Sequence, residues 1–144
     1  IIPIIEFSKR GNEDQVRDLL RMKHPVNKRD PLKNTPLHWA AAGGHMACMK
    51  VLVNWKGDIN AVNKNGDTPL HRAAWKSHPQ AVSFLLGLGA TRDLVNSEGK
   101  KPLDLARVQE VRKLLVPPIE YDDDDFDDSE EYDEDSDQFG KLLF

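Results

Sequence analysis

The sequence predicts an all-α repeat protein, an α-solenoid of stacked helix pairs, with a charged segment after it. Three observations carry this. Prolines stand at 3, 36, 69 and 102, each 33 residues from the next. The apolar positions keep the same register: Val16, Met49 and Val82; Leu19, Leu52 and Leu85; Leu20, Val53 and Leu86. The 144-residue chain also divides by charge at Pro117. Residues 1–116 hold 19 basic and 11 acidic side chains, a net of +8, whereas residues 117–144 hold 1 and 13, a net of -12. A fixed period of this length marks units that cannot bury an apolar face alone and must stack.

Each unit opens on a short first helix. Its proline falls in the first turn, where an amide would be unpaired anyway. Ala40-Ala41-Ala42 and Ala73-Ala74 follow; alanine favours helix and lets neighbouring helices approach closely. A turn is expected at Gly43-Gly44 in the second unit and at Ser77 in the third. The second helix then places apolar residues at i, i+3 and i+4, as in Val82, Leu85 and Leu86, with Pro79 at its start. Gly57 and Gly89 are expected to end these helices. A hairpin loop such as Asn63-Lys64-Asn65-Gly66-Asp67 leads to the next Thr-Pro. The outer units differ. The first has Ile2 and Ile5 where the inner ones have Thr and His. The fourth shortens its inter-helix turn by four residues, since Val111, Leu114 and Leu115 lie 29 beyond Val82, Leu85 and Leu86. Arg107, Arg112 and Lys113 give it the polar outer face of a terminal repeat.

Two domains follow: residues 1–116 as four repeats with capping ends, and residues 117–144 as an acidic tail. Pro117-Pro118 end any preceding helix. So dense a run of carboxylates buries too little apolar surface to offset the entropy of ordering, so the tail is expected to be disordered in isolation. Tyr121, Phe126, Tyr132 and Phe139 punctuate the acid at spacings of 5, 6 and 7. That alternation suits a segment that folds onto a partner, and it suits a solubilising tail equally.

Several chemistries are excluded. No apolar run approaches the ~18 residues of a membrane span, so membrane insertion is not expected. Ile1-Ile2-Pro3-Ile4-Ile5 is too short for a signal peptide and lacks a basic leader; without a starting Met, the chain reads as a fragment or processed product. The single Cys48 excludes an internal disulfide framework and a Cys-built zinc site, and a reducing, cytoplasmic home is expected, with the nucleus as the alternative. The acidic run has no Gly for a calcium-loop turn. Gly87-Leu88-Gly89 lacks the third glycine of a dinucleotide fingerprint, and Gly99-Lys100-Lys101 lacks the rest of a P-loop. The chain is therefore expected not to be an enzyme, with no metal, cofactor or small-molecule substrate.

Thr35-Pro36-Leu37-His38-Trp39-Ala40-Ala41 and Thr68-Pro69-Leu70-His71-Arg72-Ala73-Ala74, at period 33, resemble the ankyrin repeat. The resemblance covers residues 2–116. Thr35–Ala40, Asn63–Thr68, Ala73–Lys76 and the Asp-rich end are also similar to the osteoclast-stimulating factor family, small adaptors in which an SH3 domain precedes ankyrin units and an acidic tail. The first unit with His38-Trp39, Asp58-Ile59-Asn60 and Pro102-Leu103-Asp104 is similar to the ankyrin domain of the integrin-linked kinase family, which docks a LIM-domain partner. Ankyrin resemblance implies that His38 and His71 tie the turn by hydrogen bonds. It also implies a concave binding face built from hairpin tips and first helices. Transferred here, that face holds Pro31, Leu32, Asn34, Lys64, Asn65, Asp67, Ser97, Glu98 and Lys100 at the tips. The first helices supply Lys9, Arg10, Trp39, Arg72, Trp75 and Lys76. Trp and Arg dominate interface hot spots, although Trp39 would equally pack between first helices.

With Lys33, these positions hold seven cations against Asp67 and Glu98, so the face is expected to take an acidic or mixed partner segment. Nucleic acid is disfavoured, because the cations are dispersed and the attached tail competes with phosphate. Leu52 followed by Asp58-Ile59-Asn60 resembles ankyrin segments hydroxylated at Asn, making Asn60 a candidate hydroxylation site. The expected function is a protein-interaction adaptor or scaffold whose tail tunes or occludes the face; the alternative is a chaperone that shields a basic client with its tail. The tail's 28 residues span ~29 Å as a coil and over ~80 Å extended, against a stack of roughly 40 Å. It is long enough to reach the face itself.

Overall fold

The computed structural model describes residues 2–116, and each periodic unit there is a helix pair. The pairs are α1 (Pro3–Arg10) with α2 (Glu13–Arg21), α3 (Pro36–Gly43) with α4 (Met46–Asn54), α5 (Pro69–Trp75) with α6 (Pro79–Gly87), and α7 (Pro102–Leu105) with α8 (Gln109–Leu115). Proline occupies the first turn of α1, α3, α5, α6 and α7. The expected disorder and partner folding of residues 117–144, with Tyr121, Phe126, Tyr132 and Phe139, lie outside the described residues.

Thr-Pro-Leu-His closes the start of α3 and α5. The Thr35 hydroxyl accepts the His38 N–H at 3.4 Å, while the Thr35 N–H donates to His38 Nδ1 at 3.1 Å. With Nδ1 accepting, the proton sits on Nε2, which donates to the Asp67 carbonyl at 2.8 Å. Thr68 and His71 repeat the arrangement, and His71 Nε2 donates to the Lys100 carbonyl at 2.9 Å. Each imidazole thus ties its own helix start to the hairpin that leads into the next repeat. Burial pushes His38 down to about 4 and lowers His71 as well, so both stay neutral donors.

The first helices stack as one layer, α1 on α3, α3 on α5 and α5 on α7; α2 packs on α4 and α6 on α8. Ala40, Ala41, Ala73 and Ala74 are fully buried between the first helices, where larger side chains would push them apart. One core runs through all four pairs, with Ile4, Leu20, Leu37, Met49, Leu52, Leu70, Leu85 and Val111 among its members. At the turn after α3, Gly44 takes φ 66, and a Cβ there would lie 2.6 Å from Nδ1 of His78. The ring of the following repeat rests on the bare glycine. Ser77 (φ 64) makes the corresponding turn in the third unit.

Two details differ from expectation. The left-handed residue after α4 is Lys56 (φ 70), and Lys23 (φ 70) takes the same role after α2. Gly57 is needed for space instead: its N–H donates to the Leu52 carbonyl at 2.8 Å, and a Cβ would come within 2.9 Å of that oxygen. In the fourth unit α7 is a single turn, and Arg112 reaches back to donate to the carbonyls of Leu103 and Ala106 at 3.2 and 3.1 Å. That cation thus caps the shortened helix as well as facing water.

Candidate concave binding face

Hairpin tips border one side of the first-helix layer, and side chains at period 33 shape them. Asp30, Asn63 and Asn96 each fold back on their own loop. Asp30 Oδ1 accepts the N–H groups of Leu32 and Asn34; Asn63 Oδ1 accepts those of Asn65 and Asp67; Asn96 Oδ1 accepts those of Glu98 and Lys100. Neighbouring tips are then joined. Asn63 Nδ2 donates to Asn34 Oδ1 at 2.8 Å and Asn96 Nδ2 to Asp67 Oδ1 at 2.9 Å. The Lys64 N–H meets the Leu32 carbonyl at 2.9 Å, and the Ser97 N–H meets the Asn65 carbonyl at 2.8 Å. Such a bonded rim holds its exposed side chains at fixed spacing.

Across this face runs a row of alternating cations and indoles. Lys9 Nζ lies 4.4 Å from the Trp39 ring centre, and the Arg72 guanidinium lies 5.7 Å from Trp39 and 5.3 Å from Trp75. Lys76 Nζ is 4.7 Å from Trp75. These separations fall within cation–π range. The Trp39 indole N–H donates to Asp30 Oδ2 at 2.9 Å. Burial works against charge on Asp30, but the hydrogen bonds from Trp39, Asn34 and Leu32 outweigh it and hold the carboxyl below its ordinary range. Trp39 is therefore half-buried and pinned, whereas Trp75 is 40% exposed. A hollow of about 300 Å³ opens beside Trp75, lined by Asn65, Asp67, His71, Arg72, Asn96, Glu98 and Leu105.

The predicted face residues fall into three groups. Trp39, Arg72, Trp75, Lys76 and Lys9 come together in the row, and Asn65, Asp67 and Glu98 line the hollow beside it. Lys64, Lys100 and Arg10 are exposed at the margins. Asn34 is buried to 5% and its side-chain oxygen is already used by Asn63, so its contribution is to the rim rather than to a surface. Asp67 likewise spends one oxygen on Asn96. Asn60 is exposed, and its Oδ1 accepts the Thr91 N–H at 3.1 Å, which makes it a tie between neighbouring loops.

Sequence reasoning missed Glu6, Asp30, Leu105 and Arg107. Glu6 lies 3.5 Å from Lys9 Nζ and 3.6 Å from Arg10, so two of the predicted cations share one carboxylate. Arg107 donates to the Trp75 carbonyl at 3.0 Å and fixes the end of α5. Glu6 stands 33 residues before Trp39, and that register could have found it.

Among known proteins, residues 4–96 and 58–125 match the family model for ankyrin repeats (3 copies). Over 52 residues, 36% of this chain, it is 38% identical to osteoclast-stimulating factor 1 of Monopterus albus and 40% identical to that of Danio rerio. A segment of the same length is 38% identical to acyl-CoA-binding domain-containing protein 2 of Arabidopsis thaliana. The match spans 24% of each osteoclast-stimulating factor and 15% of the plant protein.

Proposed function

The chain belongs to the ankyrin-repeat family, a family of protein-interaction modules, and from that premise we propose that it is a non-catalytic adaptor or scaffold. Its face of first helices and hairpin tips takes a segment of mixed or acidic character from a partner protein. The observation that carries this is Arg72. Its guanidinium is held between Trp39 and Trp75, and no carboxylate among the described residues pairs with it. Cation–π contact at these distances leaves the guanidinium N–H donors free, in the fork that matches a carboxylate. The hollow beside it has room for one or two side chains, with an indole wall for an apolar or aromatic group. Asp67 and Glu98 on the rim disfavour an unbroken acidic run there and set the register of a mixed one.

Residues 117–144, with their net charge of -12, compete with such a partner for the +8 repeats. The tail thereby tunes or occludes binding. A cytoplasmic or nuclear setting fits this role. Capture of an acidic, aromatic-containing peptide by the full chain tests the reading. Arg72→Lys keeps the charge but not the fork, and Trp75→Ala removes the wall; each is expected to weaken capture by ~1–3 kcal/mol. Neutralising Asp127, Asp128, Glu130 and Glu131 to Asn and Gln is expected to strengthen it at low salt. Capture unchanged by Arg72→Ala and Trp75→Ala would exclude this face. If instead a basic client binds, and binding is lost on neutralising the tail, the shielding chaperone is the better description.

A further inference from the structure

The second-helix layer carries an exposed apolar row that the binding face does not use. The residues that cap the C-termini of α2, α4, α6 and α8 are Met22, Trp55, Leu88 and Val116. Their exposures are 70, 43, 40 and 49%. Equivalent positions of stacked repeats form a line, so these four make one strip along the array. Scattered exposed apolar residues need no explanation, but three at period 33 with the same cap geometry, Met22, Trp55 and Leu88, do; Val116, with an extended backbone, prolongs their row past α8. Beside the strip stand Lys23 and Lys56, both exposed, and no carboxylate among the described residues pairs with either. Both adopt the left-handed conformation for which the third repeat uses Gly89, at a cost of ~1 kcal/mol each relative to glycine. Asp58 is the nearest exposed acid to Trp55 in sequence.

We propose that this strip is the docking track for the chain's own residues 117–126, Pro-Pro-Ile-Glu-Tyr-Asp-Asp-Asp-Asp-Phe. The segment leaves the strip's last member, Val116. It carries five acidic and no basic side chains, and its apolar residues are Ile119, Tyr121 and Phe126. Reach agrees. Repeats step by ~10 Å, which puts Leu88, Trp55 and Met22 at ~10, 20 and 30 Å from Val116. An extended chain advances ~3.3 Å per residue, so positions 119, 122 and 126 come level with Leu88, Trp55 and Met22, and the aspartates fall between Lys56 and Lys23. A single row of four side chains falls short of the ~800 Å² per partner that a stable dimer needs. A tethered segment, by contrast, acts at millimolar effective concentration. The track does not depend on the groove reading, and residues 127–144 remain beyond it.

Photocrosslinking of the full-length chain tests the track. Phe126→p-benzoylphenylalanine is irradiated in a mixture of light and heavy isotope-labelled chains, and the adducts are mapped. Crosslinks within one chain to residues 19–24 or 52–57 are expected. The yield should fall at least roughly threefold in Met22→Ser/Trp55→Ser, the scale for losing two half-exposed apolar contacts, and should fall also in Lys23→Glu/Lys56→Glu. All four are exposed, so the fold persists and circular dichroism checks it. Crosslinks to Trp39, Arg72 or Trp75, crosslinks between light and heavy chains, no adduct within residues 2–116, or yields unchanged in both double variants would each overturn the track. Groove capture measured on the same variants stays at the parent level if the track is separate.

Discussion

Acid should dismantle this array through its two buried histidines before it reaches the Asp30 carboxylate. His38 is fully buried, and its imidazole is pushed from 6.5 down to about 4. The unfolded chain therefore takes up a proton near pH 6.5 that the folded chain refuses until about pH 4. Stability is complete above pH 6.5 and falls as the pH drops from there towards 4. At 1.36 kcal/mol per pH unit this single residue removes about 3 kcal/mol over the window. His71 is lowered by the same cause and adds in the same direction. Where both act, the slope approaches ~2.7 kcal/mol per pH unit, two protons' worth. Asp30 has its folded value below 3.8, so its contribution is present above that pH and is lost only as the pH falls further. The two effects occupy separate windows. Urea unfolding at pH values from 7.5 to 4.5 measures the slope. His38→Gln should start less stable, because it loses the bonds to Thr35 and Asp67, yet lose close to one proton's worth of slope. Stability that is flat across the window, or a slope unchanged in His38→Gln, refutes the reasoning.

Three further outcomes follow from particular contacts. Ser8 is fully buried and its hydroxyl finds no partner among the described residues, so Ser8→Ala should raise stability by ~1 kcal/mol in chemical denaturation. Gly44→Ala combines a left-handed backbone with a Cβ 2.6 Å from the His78 ring; a loss of about 2 kcal/mol is expected, read as a lowered Tm. Cys48 is fully buried and its thiol is pushed up to about 11 by burial, with Glu13 adding to it. At pH 8 a thiol reagent should label it only through opening of the fold, at least roughly a hundredfold slower than in denaturant.

The elements visible in the sequence are those whose cause is local or periodic. Pro79 at a helix start, the Thr-Pro-Leu-His caps and the alanine-lined layer follow from neighbours within one turn or from the 33-residue register. Arg72 and Trp75 were legible as a pair because they share one short helix. What escaped depends on distances in space. Asp30, on a hairpin, meets the indole of Trp39 nine residues on in α3, and Arg107 reaches Trp75 across a repeat boundary. Asn34 looked like a tip residue, but its place between two hairpins is set by Asn63 in the next repeat. Lys56 was hidden because glycine is the expected left-handed residue and one stands immediately after it.

The histidine bonds run in one direction, and that gives the array a grammar of assembly. Each imidazole stands at the start of one unit and donates to a carbonyl of the hairpin that leads into the next, so a unit opening on Thr-Pro-Leu-His requires a successor. The fourth unit has Asp104 at that place, and its carboxylate accepts the Lys101 N–H within the same unit at 2.9 Å. It asks for nothing beyond itself. The series is open in its middle and closed at its last word. Duplicating residues 36–68 as a cassette would lengthen the array with every donor still answered, whereas restoring histidine at 104 would leave a sentence unfinished.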